Sequence, residues 1–395
     1  MIKGSSKKTL FLFAGEVSGD MHGAMLLNAL KRDYPDINLM GVAGPQMRAQ
    51  GVVGTWKMED FNVMGFSDVF RSLPQLWHKF SQIKECILET QPDAVIFIDS
   101  SAFSLRMAKA LRKKGFPGKL VQYICPAVWA WGKSRITQIG AYFDLLLCIY
   151  PFETACFPPS RLRVEYVGNP VKEIIEKHVY DPYGLTLFGI ENNQNLIGLF
   201  PGSRSGEIKR NLPLLLEAAR DIQKCHPEAI FAISCVTNTM DIENPMSLVY
   251  SILEKSSLDP EEVHLIPKSY TYELMKSCRS AIAKSGTVTL ELALHGCPTV
   301  VMYELSRINQ WIAKYIFKIK LPCYSIPNIL CGKKVFPECI QHGIVAKDLS
   351  QQLISLYKEG PTRNRCLKEM QKLQQILLAN SASKSAAKNI GELLL

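Results

Sequence analysis

Apolar positions along the chain alternate between two periods. Short β-branched or aromatic runs occur at Thr9–Ala14, Asn38–Ala43, Ala94–Asp99, Leu120–Cys125, Leu145–Tyr150 and Val164–Val167. Between them lie stretches such as Met21–Arg32 and Ser104–Lys114, with apolar residues at helical spacing. This alternation predicts parallel α/β units. Polar and turn residues dominate Tyr180 to Asn195, after which a second series begins: Leu196–Phe200, Ala229–Cys235, Val263–Ile266, Ser280–Ala283 and Thr299–Tyr303. From Leu349 onward the chain reads as helices. No repeat of fixed period and no low-complexity segment interrupts it. The expected fold class is α/β: two similar open sheets facing a central cleft. The first domain is expected over 1–168 and the second over 169–348, with C-terminal helices over 349–395 that can pack back on the first.

Length and composition agree with this picture. A chain of 395 residues suits two domains, and 47% hydrophobic with 21% charged residues is the balance of a soluble globular protein. No stretch reaches the roughly 18 to 20 apolar residues that span a bilayer. Lys7 and Lys8 precede the apolar run Leu10–Phe13, but that run is too short for a signal-peptide core and meets Gly15, Glu16 and Asp20 at once. It reads as a first strand. Twelve cysteines show no C-x-x-C pair, and Cys148, Cys235 and Cys297 lie inside apolar segments, which fits reduced thiols in the cytoplasm. Without H-E-x-x-H or EF-hand patterns no metal is expected. The net charge of +10 is spread, with 20 basic against 14 acidic residues in 1–168 and 26 against 22 in the remainder. Such a surface attracts phosphorylated substrates, anionic lipid or nucleic acid, or simply aids solubility. The absence of a basic stripe or RNA or DNA motif speaks against nucleic acid.

In open parallel sheets ligands bind beyond the carboxyl ends of strands, and the polar chemistry of this sequence collects there. The first strand runs into Gly15-Glu16-Val17-Ser18-Gly19-Asp20, where two glycines admit close backbone approach; Ser18 and Asp20 either face a ligand or cap a helix. Neither a G-x-G-x-x-G fingerprint nor a Walker A sequence is present. Asp99, at a strand tip before Ser100 and Ser101, is a general base or a helix cap. Trp129 and Trp131 follow another strand, to stack on a sugar or acyl chain or to wedge a domain seam. In the second half Pro201-Gly202-Ser203-Arg204 combines a glycine turn, hydroxyls, an arginine and a helix start, which makes a phosphate site. Ser285-Gly286-Thr287 repeats the plan, and Glu291 one turn later is placed for ribose hydroxyls. Asn328 lies in a constrained loop, to hold a ligand or its own turn.

Two apolar stripes have helical spacing. Phe66, Val69, Phe70, Leu73, Leu76, Trp77 and Phe80 form one, beside Arg71, Lys79 and Lys84, with Pro74 expected to kink or divide the helix. Ile308, Trp311, Ile312, Tyr315, Ile316 and Ile319 form the other, flanked by Lys314, Lys318 and Lys320. Each is either core or an interfacial face with basic flanks that meets anionic lipid.

Taken in order, these segments resemble the lipid-A-disaccharide synthase family. The resemblance rests on Ala14–Asp20, Gly41–Pro45, Val63–Phe66, Ile98-Asp99, Pro126–Trp131, Phe152-Glu153, Pro201–Arg204, Ser285–Thr287 with Glu291, and Pro327–Leu330, and it runs from about residue 9 to 345. It implies a GT-B glycosyltransferase with two Rossmann-like domains, acceptor on the first and UDP-sugar on the second. The implied reaction joins UDP-2,3-diacylglucosamine to 2,3-diacylglucosamine 1-phosphate by inversion, giving a β-1′,6-linked disaccharide and UDP. No cofactor is implied, and the absence of a D-x-D triplet agrees with a metal-independent transfer. By this resemblance Asp99 and Glu16 are catalytic, and Gly202, Ser203, Arg204, Ser285, Gly286, Thr287, Glu291 and Asn328 bind the UDP-sugar. Ser18, Asp20, Phe66, Phe70, Trp77 and Trp129 contact the acceptor or lipid. The enzyme would work in the cytoplasm, peripherally on the inner face of the membrane, and a homodimer is one assembly open to it. The sequence departs from the family at Asp99-Ser100-Ser101-Ala102-Phe103, where a second aspartate is usual, at Asn169, where Gly-His is common, and at Gly132, where arginine is usual. Competing readings are another GT-B enzyme on a lipid-linked acceptor and a UDP-N-acetylglucosamine 2-epimerase.

Overall fold

The computed structural model describes residues 7–54, 56–61, 66–130, 134–191, 194–235, 245–304, 322–341, 343–377 and 381–394, with the backbone alone at 66–74, 245, 304 and 341. The chain divides into two compact units, Met1–Glu173 with Leu378–Leu395, and Ile174–Leu377.

The first unit holds strands β1 (Thr9–Ala14), β2 (Asn38–Val42), β3 (Ala94–Ile98), β4 (Lys119–Tyr123), β5 (Leu145–Cys148) and β6 (Arg163–Tyr166). They form one sheet in the order β2-β1-β3-β4-β5-β6, every pair parallel. Around it lie α1 (Val17–Asp33), α2 (Pro45–Ala49), α3 (Phe66–Thr90), α4 (Ser101–Lys113) and α5 (Ser134–Tyr142), and α6 (Pro170–Lys177) carries the chain across the boundary at Glu173 into the second unit. All five residues of β3 are buried, as they must be in a sheet covered on both faces. Helix α3 is not divided at Pro74, so of the two effects expected there, a kink or a break, the break does not occur. Its C-terminal half places Ile83 and Ile87 in the core.

The second unit repeats the plan with β7 (Leu196–Phe200), β8 (Ile230–Cys235), β9 (Val263–Pro267), β10 (Ser280–Lys284), β11 (Thr299–Glu304) and β12 (Glu338–Gln341), again all parallel, in the order β12-β11-β10-β7-β8-β9. Its helices are α7 (Ser205–Cys225), α8 (Pro245–Leu253), α9 (Thr271–Ser277), α10 (Thr287–Leu294), α11 (Ile326–Cys331), α12 (Ala346–Tyr357) and α13 (Pro361–Ile376). Strand β12 escaped the sequence reading because its Glu-Cys-Ile-Gln carries no apolar run; among the described residues it is an edge strand, paired only with β11. Cys148, Cys235 and Cys297 are buried among apolar neighbours, as expected. Among the described residues no helix is long and apolar enough to cross a membrane.

The last helix, α14 (Ala382–Leu394), belongs to the first unit. Ala386, Ala387 and Ile390 join Leu26, Leu27 and Leu30 of α1 in one core. A Cβ at Gly391 would run into the Tyr34 phenol, so glycine at this position lets the ring lie where it does against the last helix. The N-terminus of α14 is fixed by the buried Glu173 carboxylate, which accepts the Ser383 N–H at 2.8 Å and the Ser381 and Ser383 hydroxyls at 2.8 and 2.6 Å. Removing that carboxylate takes the acceptor from the buried Ser383 N–H and leaves the two serine hydroxyls with only each other, 3.2 Å apart. Glu173→Ala is therefore expected to lower unfolding stability by about 2–4 kcal/mol. Limited proteolysis should then cut near residue 380 in the variant well before the wild type, and equal cleavage rates would show that α14 is held by its apolar face alone.

Candidate functional site

In each sheet the strand order reverses once, between β1 and β3 in the first unit and between β7 and β10 in the second. Connections leave such a point toward opposite faces and open a crevice at the carboxyl ends of the two strands. The loops picked out from sequence follow these strands: Gly15–Asp20 and Asp99–Ser101 in the first unit, Pro201–Arg204 and Lys284–Thr287 in the second.

In the first unit, small residues bring the loops together. A Cβ on Gly19 would lie 3.2 Å from the Ile98 carbonyl, and one on Gly15 would lie 3.0 Å from the Ser100 hydroxyl. Asp99 and Ser100 adopt left-handed φ of 56° and 49°, and Ile124 at the end of the neighbouring strand has φ 73°. A β-branched residue in that region is a true outlier, and strain of this kind persists only where the surroundings impose it. They do: the buried Gln122 amide donates to the carbonyls of Asp99 (3.0 Å), Tyr123 (3.3 Å) and Ile124 (3.1 Å). An amide in the middle of an apolar strand is the sequence signal that could have found it.

Asp99 is half-buried, and the Ser18 hydroxyl donates to its Oδ2 at 3.5 Å. Burial, and then the nearby charge of Glu16, hold its carboxyl above the usual aspartate range; the Ser100 N–H and the Ser18 hydroxyl pull the other way. Glu16 itself is exposed at the start of α1. Asp20 must be reassigned. It is 1% exposed, and its two oxygens accept the N–H groups of Gln46 (2.9 Å) and Met47 (3.0 Å), so it caps α2 and has no free oxygen aimed at a ligand. Trp129 is half-buried, its indole donating to Glu153 at 3.3 Å and its ring edge-on to Phe152. Trp131 lies outside the described residues. Trp77 is 60% exposed on α3, whereas Phe80, part of the same stripe, turns inward against Phe103. Side chains of Phe66 and Phe70, and the whole stripe from Ile308 to Ile319, lie outside the described residues.

In the second unit, Gly202 has φ +118°, and Arg204 is exposed at the N-cap of α7 with no ion-pair partner among the described residues. The Ser203 N–H donates to Glu207 (3.3 Å), whose other oxygen pairs with Lys284 at 3.0 Å. Ser285 and Gly286 are half-buried and Thr287 exposed at the start of α10. Glu291 accepts the Tyr272 hydroxyl at 3.2 Å; burial raises its carboxyl above the usual range, opposed by that hydrogen bond and by Lys268. His295 donates Nδ1–H to the Glu291 carbonyl (2.7 Å) and accepts the Tyr180 hydroxyl (2.8 Å), a neutral ring whose pKa burial depresses. Asn328 is a second reassignment. It is wholly buried, its Nδ2 donating to Phe336 O and Glu338 while its Oδ1 accepts the N–H groups of Val335 and Phe336. Every polar atom of that amide is spent on fixing its own loop, the turn reading of this residue.

A sequence model of the lipid-A-disaccharide synthetase family matches residues 10–390. The chain belongs to that family. It is 40% identical over 332 residues to the lipid-A-disaccharide synthase of Chlamydia trachomatis serovar D, covering 84% of this chain and 53% of that protein. The chain thus spans about half the length of the chlamydial relatives it matches. The lipid-A-disaccharide synthase of Trichlorobacter lovleyi is 32% identical over 353 residues, 89% of either chain. Among solved structures, a UDP-GlcNAc 2-epimerase from Neisseria meningitidis bound to UDP-GlcNAc aligns with TM-score 0.61 at 12% identity, over 98% of this chain and 99% of that one. The glycotransferase of kitacinnamycin aligns with TM-score 0.60 at 11% identity, over 99% and 100%. Likeness at such identity is of fold: two Rossmann-like domains of the GT-B type.

Within this family member, Glu153 has electrostatics of its own. Its carboxylate accepts the N–H groups of Ile149 and Tyr150, both at 3.0 Å, and lies with the thiols of Cys125 and Cys148 in a cluster whose ligand atoms are within 4.8 Å. Burial pushes it up to about 7, against the pull of its N–H donors. The folded protein therefore keeps a proton that the unfolded chain releases from about pH 4.5 upward. Stability from this group is full below that pH and falls as pH rises toward 7, by about 3 kcal/mol in all. Urea unfolding between pH 5 and 8 should show that decline in the wild type and its loss in Glu153→Gln; parallel profiles would place the Glu153 pKa near its ordinary value.

Proposed function

We propose that this chain is a lipid-A-disaccharide synthase, an inverting glycosyltransferase that needs no metal and transfers 2,3-diacylglucosamine from its UDP derivative to 2,3-diacylglucosamine 1-phosphate. Family membership supports the reaction. The observation that carries the mechanism is Asp99, a carboxylate held in a strained strand tip at the switch point of the first sheet. In the first unit Asp99 takes the proton of the acceptor 6-hydroxyl as that oxygen attacks C1 of the donor sugar. The bond from C1 to the diphosphate breaks, UDP leaves, and the anomeric centre inverts to a β-1′,6 linkage. A base with a raised pKa matches proton transfer near neutrality better than an ordinary aspartate, and Glu16 supplies the charge that helps to raise it. In the second unit Arg204 and the N–H groups at the starts of α7 and α10 meet the departing diphosphate. Glu291, oriented by Tyr272, takes the ribose hydroxyls.

Incubation with both acylated substrates should give disaccharide and UDP in equal amounts. Epimerised UDP-sugar without disaccharide would assign the chain to the epimerase class instead. Asp99→Asn should retain UDP binding while kcat falls by about 10²-fold or more. The wild-type kcat should fall with acid through a pKa above the ordinary aspartate range, and that limb should vanish in the variant. Near-normal turnover in Asp99→Asn would move the base to Glu16 or to a substrate phosphate.

A peripheral membrane role is supported by Trp77, whose large ring is 60% exposed on the helix where the sequence sets apolar residues beside basic ones. Vesicles containing anionic lipid should sediment the protein at low salt and release it as salt rises. Trp77→Ser should weaken that binding and leave UDP affinity intact; a wild type that stays in the supernatant would remove the membrane from the proposal.

A further inference from the structure

The two loops at the switch point of the second sheet are joined by one ion pair. Lys284 is the last residue of β10, and Glu207 lies in the first turn of α7. Their charged atoms are 3.0 Å apart, with side chains 21% and 20% exposed. The other Glu207 oxygen accepts the Ser203 N–H at 3.3 Å, inside the glycine turn read from sequence as a phosphate loop. Gly202, with φ +118°, has room for no Cβ there: one would lie 2.5 Å from that Glu207 oxygen. The Lys284 ammonium also sits 5.4 Å from the centroid of the Tyr303 ring. Glu207 thus presents an anion to a loop N–H and to a lysine, the donor set a phosphate group would use.

We propose that Lys284 is a ligand of the donor diphosphate and that Glu207 is an internal anion competing with that diphosphate for Lys284 and the Ser203 N–H. The inference rests on the reading of the second unit as the UDP-sugar domain. A nucleoside diphosphate displaces one carboxylate with two phosphates, and Lys284 passes from one anion to the other. It adds its charge to that of Arg204 on the leaving group, and Tyr303 keeps the ammonium near the crevice during the exchange. The pair sets donor affinity: Lys284 raises it and Glu207 lowers it, so that UDP leaves after transfer. A plain structural strut predicts something else, because breaking a strut from either end loosens the loop and weakens binding in both cases.

Calorimetric titration of the intact chain with UDP and with uridine separates these possibilities. Lys284→Met should weaken UDP by about tenfold or more and leave uridine within about twofold. Glu207→Gln keeps the volume and an oxygen for Ser203 but removes the competing charge, so UDP should bind about threefold or more tighter, again with uridine unmoved. Weaker UDP binding in Glu207→Gln, or unchanged UDP binding in a folded Lys284→Met, overturns the proposal. If Lys284→Met fails to fold, the sign of the Glu207→Gln change decides alone. A wild type that binds uridine and UDP equally, or neither, rejects the nucleotide reading of the unit itself, an outcome distinct from failure of the exchange.

Discussion

The chemistry of both units depends on one constraint, the parallel direction of every strand. When all strands run the same way, all carboxyl ends and all following helix starts gather on one edge of the sheet. Backbone N–H groups then point outward from that edge without hydrogen-bond partners of their own. The reversal of strand order between β1 and β3, and between β7 and β10, pulls neighbouring connections to opposite faces and leaves a crevice where those groups are accessible. A polar loop elsewhere on the sheet would be only a turn.

What the crevice of the first unit holds is expensive. Three non-glycine residues, Asp99, Ser100 and Ile124, sit in left-handed backbone, and a carboxylate is partly withdrawn from water. Gln122 offsets part of this by gathering three carbonyls on one buried amide nitrogen, which fixes β3 and β4 tips to each other. Glu153 does comparable work one strand further on, holding the turn after β5 and the Trp129 indole at the cost of a proton it would otherwise release. Rigidity here lies in side chains that reach backbone, since the crevice itself has no ladder to stiffen it.

The second unit separates support from exchange. Asn328 and Glu338 form a closed knot: Glu338 accepts the N–H groups of Tyr324 and Ser325, the Ser325 hydroxyl and the Asn328 amide, and nothing in the knot is free to turn toward a ligand. Tyr180 and His295 fix the backbone of Glu291, and Tyr272 orients its carboxylate through one oxygen. Against these fixed parts, the Lys284–Glu207 pair is partly solvated and built from long side chains. Such a pair costs little to rearrange, because its charges are never fully removed from water.

By itself the sequence determined the class of fold, most strand positions and the identity of the polar loops, since burial on both faces demands unbroken apolar runs and glycine-rich turns mark their ends. It determined family membership too, through segments whose order is specific although none is alone. Only the tertiary structure decided which carboxylates are free. Asp20 and Asp99 both read as caps or ligands along the chain, yet two N–H groups from α2 consume the first, whereas the second meets a distant Ser18 hydroxyl and the N–H of its own neighbour Ser100. Asn328 likewise looked available until Val335 and Phe336 folded onto it. Strand order, the edge strand β12 and the partnership of Lys284 with Glu207 were invisible for the same reason. A hydrogen bond or ion pair between residues far apart in sequence is set by where the sheet places their strands, and local pattern carries no record of that distance.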